Sequence, residues 1–279
     1  MKGRSLVGRP FVMERNNMSK KLEQLLINNK IITRTVTGDT FLLTEEFLGL
    51  LEDKLVKSDC IINHLPSYNL SAKKVYIPVL TEMTYTEDVD GNISNNIDTG
   101  ISVQMAVDEL KTIDLRLAFS SSIFDLQGKS VKDYVADAMV EYMVGAIHTQ
   151  LKSKLIAAGC GQQFETYTDT WFKKFVKSHV NKNSVVLMSS DMIGMIKGID
   201  IQQEFKLLGV EPIITDDANF HGVIVVGKND IVHVHDGQVE NRVLDEVGFL
   251  SNLTYFNVRY WSGFVIKRPD RCYAVTFQD

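Results

Sequence analysis

Apolar residues recur at two different spacings along this chain, and the changes of spacing mark out its elements. From Thr44 the interval is helical: Phe47, Leu48, Leu50, Leu51 and Leu55 share a stripe, with Thr44 as N-cap and Glu45 and Glu46 in the first turn. After Asn69 the period drops to two. Val75, Ile77 and Val79 alternate with polar residues, as do Ile101, Val103, Met105 and Val107, and then Ile113, Leu115, Leu117 and Phe119, which predicts three strands. Asp90-Gly91-Asn92 lies between the first two in a long polar stretch, so this segment reads as an extended hairpin, a tongue whose far end carries little core and projects.

The pattern turns helical again over 130–158. Ser130 and Asp133 form a capping-box signature, Met139, Met143, Ile147, Leu151 and Leu155 repeat every four residues beside Val131, Val135, Ala138 and Tyr142, and Gly159 stops the run. The helix would be roughly 42 Å long at 1.5 Å per residue. Beyond Gly161 short apolar runs alternate with helical ones. We expect helices around Trp171–Val180 and Met192–Lys197 and strands at Ser184–Met188 and Pro212–Ile214. Val223–Val226 and Ile231–His235 read as a hairpin-like pair about 227–230, and closing strands are expected near Leu253–Tyr260, Phe264–Lys267 and Tyr273–Phe277.

Composition narrows the classes. With 44% hydrophobic and 23% charged residues the 279-residue chain can fold around one large or two modest cores. A net charge of −5 gives it no general attraction for nucleic acid, so any such contact must be local. No apolar run approaches the ~18 residues of a membrane span. The charge is unevenly spread. Lys2, Arg4, Arg9, Arg15, Lys20 and Lys21 face the single acid Glu14 in residues 1–21, a basic arm. From residue 82 to 114 the acids are Glu82, Glu87, Asp88, Asp90, Asp98, Asp108, Glu109 and Asp114 against the single base Lys111, an acidic tongue.

Candidate chemistry is sparse. Cys60, Cys160 and Cys272 are far apart in sequence, with no CxxC pair, which argues against a disulfide framework or a zinc site. Cys160, beside a helix C-terminus, would have its thiolate disfavoured by the helix dipole. His233-Val234-His235-Asp236 places two histidines on one face of a strand, here expected to be an exposed face, where they could ligate zinc. The run loosely resembles the zinc motif of metallo-beta-lactamase-type hydrolases. That motif needs an Asp where Gly237 stands and a further His where Gln238 stands. A zinc-dependent hydrolase using His233 and His235 is therefore a rival reading that rests on one pair of residues.

The order of elements carries more than any motif. Three stretches resemble the tailed-phage major capsid fold, the Hong Kong ninety-seven-like fold: Leu110–Ser121 followed by the helix to Ala157-Ala158-Gly159-Cys160-Gly161, then Phe205–Asp216, then Phe256–Tyr260 through Phe264–Asp270 to Ala274-Val275. The resemblance implies an α+β chain. An N-terminal arm would occupy 1–43, a first peripheral-domain segment 44–68, and an extended β-hairpin loop 69–119. The peripheral domain would resume over 120–165 with its spine helix at 131–158, followed by an axial domain over 166–245 and C-terminal peripheral strands over 246–279.

It also implies a major capsid protein without enzymatic activity, catalytic residues, metal or cofactor, assembling through pentamers and hexamers into the icosahedral head around a double-stranded DNA genome. The partners implied are many copies of itself, a separate scaffolding protein, portal and decoration proteins, and packaged DNA contacted non-specifically, with no membrane. The chain would be assembled in the host cytoplasm and end in the virion. The same fold also builds encapsulin compartments, which enclose a cargo enzyme. A basic arm and an acidic tongue are satisfied most cheaply between copies. Lys2, Arg4, Arg9, Arg15, Lys20, Lys21, Glu82, Glu87, Asp88, Asp90 and Asp98 are thus the candidate inter-subunit contacts.

Overall fold

The computed structural model describes residues 24–34, 41–69, 74–83, 101–119, 130–164, 168–195, 201–216, 220–243 and 254–277. They form a mixed helix-and-sheet protein with two compact units, one drawn from within 1–58, 112–146 and 238–260, the other from 59–111, 147–237 and 261–279.

In the first unit, helix α1 is described over 24–28 and is followed by an antiparallel pair, β1 (Ile32–Arg34) and β2 (Phe41–Leu43). The arm expected over 1–43 thus carries regular structure from residue 24, anchored by fully buried Leu26 and Ile31. Helix α2 (Glu45–Lys57) begins where its sequence says it should: Thr44 Oγ1 accepts the Phe47 N–H at 3.2 Å, and Phe47, Leu51 and Leu55 are buried. Lysines clasp α2 to the first turns of the long helix α3 (Val131–Ala157). Lys54 Nζ lies 2.6 Å from Asp137 and Lys132 Nζ 2.6 Å from Glu46, which also meets Lys30 at 3.3 Å. These pairs hold the Glu46 carboxyl below the usual carboxylate range, the bond from Lys132 contributing most.

Helix α3 starts on Ser130, whose Oγ accepts the Asp133 N–H at 3.0 Å while its hydroxyl bonds the Asp133 carboxylate. It ends in a Schellman motif: the Cys160 N–H reaches the Leu155 carbonyl at 2.9 Å and the Gly159 N–H the Ile156 carbonyl at 3.0 Å, with Gly159 at φ +78°. The expected stripe of Met139, Met143, Ile147, Leu151 and Leu155 is buried, but Tyr142, expected beside it, is 65% exposed. A four-residue repeat winds around a helix of 3.6 residues per turn, so Met143 points about 100° away from Tyr142.

The second unit is organised by a five-stranded sheet in the order β7-β13-β10-β8-β9: β7 (Gly161–Phe164), β8 (Ser184–Ser189), β9 (Ile213–Thr215), β10 (Gly222–Gly227) and β13 (Tyr273–Phe277). Central β10 is antiparallel to both neighbours, setting Val223 opposite Val275 on one side and Met188 on the other. Val186, Met188, Val223, Val225 and Val275 form one face of this sheet and pack with Phe172, Phe175 and Val176 of helix α4 (Asp169–His179), Met192 of α5 (Ser190–Met195) and Phe205 of α6 (Ile201–Leu208). The opposite-facing Val185, Leu187, Ile224 and Val226 are buried as well, which is why these strands read as unbroken apolar runs.

A four-stranded sheet runs β3-β11-β12-β6, with β3 (Ser67–Asn69), β6 (Lys111–Phe119), β11 (Ile231–Val243) and β12 (Thr254–Ile266). Two expectations are corrected here. Val223–Val226 and Ile231–His235 do not pair as a hairpin, because both edges of β10 are taken by β8 and β13, which leaves β11 to join the other sheet. The two closing strands near 253–260 and 264–267 are one strand, β12. Ser262, in the intervening Trp261-Ser262-Gly263, is fully buried and hydrogen-bonded rather than turned out to solvent. Strands β4 (Lys74–Met83) and β5 (Ile101–Glu109) pair antiparallel, with an irregularity between Leu80 and Glu82, as a two-stranded sheet of their own. The turn expected at Asp90-Gly91-Asn92 lies outside the described residues.

Two glycines in helical contexts are expected to respond oppositely to alanine. At Gly159 an added Cβ meets no atom within 4 Å, but the left-handed backbone makes Gly159→Ala destabilising by about 1 kcal/mol. At Gly49, inside α2 and equally unobstructed, Gly49→Ala should stabilise by roughly 0.5–1 kcal/mol. Urea melts of the two variants beside the parent check both signs.

Candidate functional site

The residues singled out by sequence chemistry are structural in this fold. His233 is buried on β11, with Nδ1 2.9 Å from Ser67 Oγ and Nε2 3.1 Å from Ser262 Oγ, and its ring stacks on His235 at 5.3 Å with 15° between planes. Two hydroxyls satisfy the neutral ring in either tautomer, since each can donate or accept. The two histidines do share a face, but His233 does not lie on an exposed one, as the sequence suggested. Strand β11 is buried on both sides there, Val234 packing with Leu110 and Val265. The zinc reading loses its footing because both His233 nitrogens already have partners, and among the described residues no three His, Cys, Asp or Glu side chains converge to hold a metal.

His148, fully buried on α3, is a strut. Its Nε2 accepts the Ile61 N–H at 3.2 Å, so the ring is neutral with its proton on Nδ1, which faces Thr215 Oγ1 at 3.4 Å. The ring thereby ties a 3-10 turn (Ile61–His64) to α3 and to β9.

The thiols are inert. Burial pushes Cys60 and Cys272 up to about 12 and raises Cys160, the Asp270 carboxylate adding a smaller push on Cys160. Burial rather than the helix dipole is thus the main cause at Cys160. Cys160 and Cys272 Sγ donate to the carbonyls of Pro269 at 3.4 Å and Arg268 at 3.3 Å, supporting the turn before β13.

The surface of the second unit offers a more pointed feature, a depression of about 870 Å³ where three turns meet. Lys182, Lys228, Lys267, Arg268 and Arg271 line it against the single lining acid Asp230. Backbone bonds stitch the turns together: Lys228 N–H to the Asn183 carbonyl at 2.8 Å, and Lys267 N–H to the Asp230 carbonyl at 2.8 Å. Sequence reading missed this cluster because its cations come from turns far apart in the chain, none of them a charge run.

Of the expected inter-subunit contacts, Lys2, Arg4, Arg9, Arg15, Lys20, Lys21, Glu87, Asp88, Asp90 and Asp98 lie outside the described residues. Glu82 lies in β4, registered opposite Ser102.

His233 makes stability depend on pH. Desolvation, with a smaller contribution from His235, lowers its pKa from the usual 6.5 to about 3, so the folded chain holds this ring neutral. Below about pH 6.5 the unfolded chain takes up a proton that the folded chain refuses. The stabilisation is therefore complete at neutral pH and drains away as the pH falls towards 3. His179, also lowered by burial, adds in the same direction. Urea midpoints should fall between pH 6.5 and 5, His233 contributing up to about 1.4 kcal/mol per pH unit, and His233→Asn should remove that share of the slope.

No family model matches the sequence, and no curated protein does. Solved structures do. A virus-like particle from Pyrococcus furiosus matches with a TM-score of 0.54 at 12% identity over 83% of this chain and 98% of that one. The capsid of a native GTA particle matches with a TM-score of 0.53 at 9% identity over 79% and 90% of the two chains. A chain of Mycobacterium phage Cain matches at 0.48 and 10% identity over 78% and 90%. The first two matches, each spanning most of both chains, show that this protein has a capsid-type fold, the fold of proteins that build shells.

Proposed function

We propose that this chain is a major capsid protein of a tailed virus, which assembles through pentamers and hexamers into an icosahedral head around double-stranded DNA. What supports the reading is the fold: the residues of this chain that match account for nearly the whole of the virus-like-particle subunit, and the second neighbour is the capsid of a GTA particle. The order of basic arm, hairpin, long helix and sheet-centred module agrees with the resemblance in the sequence. In this reading the long helix is the spine, the five-stranded sheet organises the axial domain, and the β4–β5 hairpin is the tongue lent to a neighbour.

An isolated two-stranded sheet is marginal in water, so burial by a sister copy would stabilise it. The charged residues of arm and tongue, Lys2, Arg4, Arg9, Arg15, Lys20 and Lys21 with Glu82, Glu87, Asp88, Asp90 and Asp98, would set register between copies. Each exposed pair contributes about 0–1 kcal/mol, and apolar contact supplies most of the association energy. No catalytic group or cofactor enters. Separate scaffolding, portal and decoration proteins are the partners expected beyond the chain itself. A second reading, an encapsulin-type compartment, draws on the virus-like-particle match and differs in what the shell encloses.

Electron microscopy of the full chain expressed alone should show closed particles or rings of five and six, and removing residues 1–21 should reduce closed particles while leaving the circular-dichroism melt intact. A monodisperse monomer at every concentration would sink the shell reading. Particles from the native source that carry nuclease-protected DNA favour the virus, whereas a stoichiometric protein cargo favours the compartment.

A further inference from the structure

The depression between the 181–184, 227–230 and 267–271 turns collects positive charge that its own surroundings leave largely unanswered. Among the described residues no acid lies within ion-pair distance of Lys182, Lys228 or Lys267, and Arg268 and Arg271 reach Asp230 and Asp270 only at 4.0 Å. Five cations around one concavity repel one another, a cost that an incoming anionic group would reverse. The frame is rigid: besides the bonds that stitch the turns, the Ser184 N–H donates to the Asn181 carbonyl at 2.8 Å and the Arg268 N–H to the Asp230 carbonyl at 3.4 Å. Such a frame fixes the backbone positions from which the cations extend, so the turns need not be ordered when an anion binds.

The chain itself carries a complement. Residues 82–98 contain Glu82, Glu87, Asp88, Asp90 and Asp98 and no Lys, Arg or His. The stretch begins on the last two residues of β4, Glu82 and Met83, and that ten-residue strand spans about 33 Å from its root at Lys74. A short acidic stretch of chain suits a concave cationic site, whereas a nucleic-acid duplex would present only its broad side. We propose that the depression receives the acidic segment 82–98 of a second copy of this chain. The inference rests on the self-assembly reading and gives the tongue an acceptor in the folded body, distinct from the basic arm. Each copy then gives a tongue and accepts one, a head-to-tail contact of the kind that closes rings or propagates around a shell.

The test uses the full chain and a labelled synthetic peptide of residues 82–98. Fluorescence anisotropy should show binding that weakens at least tenfold between 50 and 300 mM salt, since exposed charge pairs are screened. Lys182→Glu/Lys228→Glu/Lys267→Glu should cost at least a further tenfold at low salt, and the same peptide with its acids replaced by amides should not bind. Among the described residues the three lysines have no ion pairs to lose, and an unchanged melt certifies the fold of that variant. In assembly the triple reversal should abolish particles, and adding Glu87→Lys, Asp88→Lys and Asp90→Lys in the same chain should restore them. Equal peptide affinity in parent and triple variant overturns the proposal. So does a triple variant that assembles normally while losing retained nuclease-resistant nucleic acid, which would give the depression to the genome instead. If the parent chain forms no particles, the shell reading fails, and peptide affinity still decides whether segment and depression recognise each other.

Discussion

Strands β8 and β10 have no solvent face, and the second unit is arranged around that constraint. Val186, Met188, Val223 and Val225 need cover on one side, and Val185, Leu187, Ile224 and Val226 on the other. On the first side Phe172 and Phe175 of α4, Met192 of α5 and Phe205 of α6 provide the cover. The turns before β8, after β10 and before β13 all lie at one end of this sheet, which is where Lys182, Lys228 and Lys267 come together. A charged surface feature thus arises where the turns of an apolar sheet converge, with backbone bonds fixing the turns that carry its cations.

Local signals were legible in the sequence where a side chain bonds its own neighbourhood. Thr44 and Ser130 start their helices through contacts three residues away, and Gly159 ends α3 through contacts within five, so a reader of the sequence has every partner in view. The β4, β5 and β6 strands were equally readable from their period of two. What failed was pairing over distance. Only the filled edges of β10 tell that β11 belongs elsewhere, and those edges are set by residues as remote as 184 and 275. His233 looked like an exposed ligand because nothing nearby announces Ser67 and Ser262 as its hydroxyl partners. Short elements such as β3, β7 and α6 escaped notice because three to eight residues hold too few turns or alternations to show a period.

The same division between local and remote explains how the candidate surface was read. Acid in 82–98 and base in 1–21 are compositional facts, visible in any window of the chain. The depression has comparable positive charge, but assembled from three turns separated by about forty residues each, and it has no linear trace. Capsid-type folds at 9–12% identity conserve the layout of elements while leaving side chains free to change. Surfaces built from residues remote in sequence are the parts a single-chain pattern describes least.

The five-stranded sheet ends on β7, four residues long, and β9, three residues long. Open hydrogen-bonding edges are where stray strands attach and where amyloid-like stacking begins, and short edges blunt that route. A chain whose sheet closes on such short strands is thereby protected from indiscriminate strand addition, however crowded its copies become.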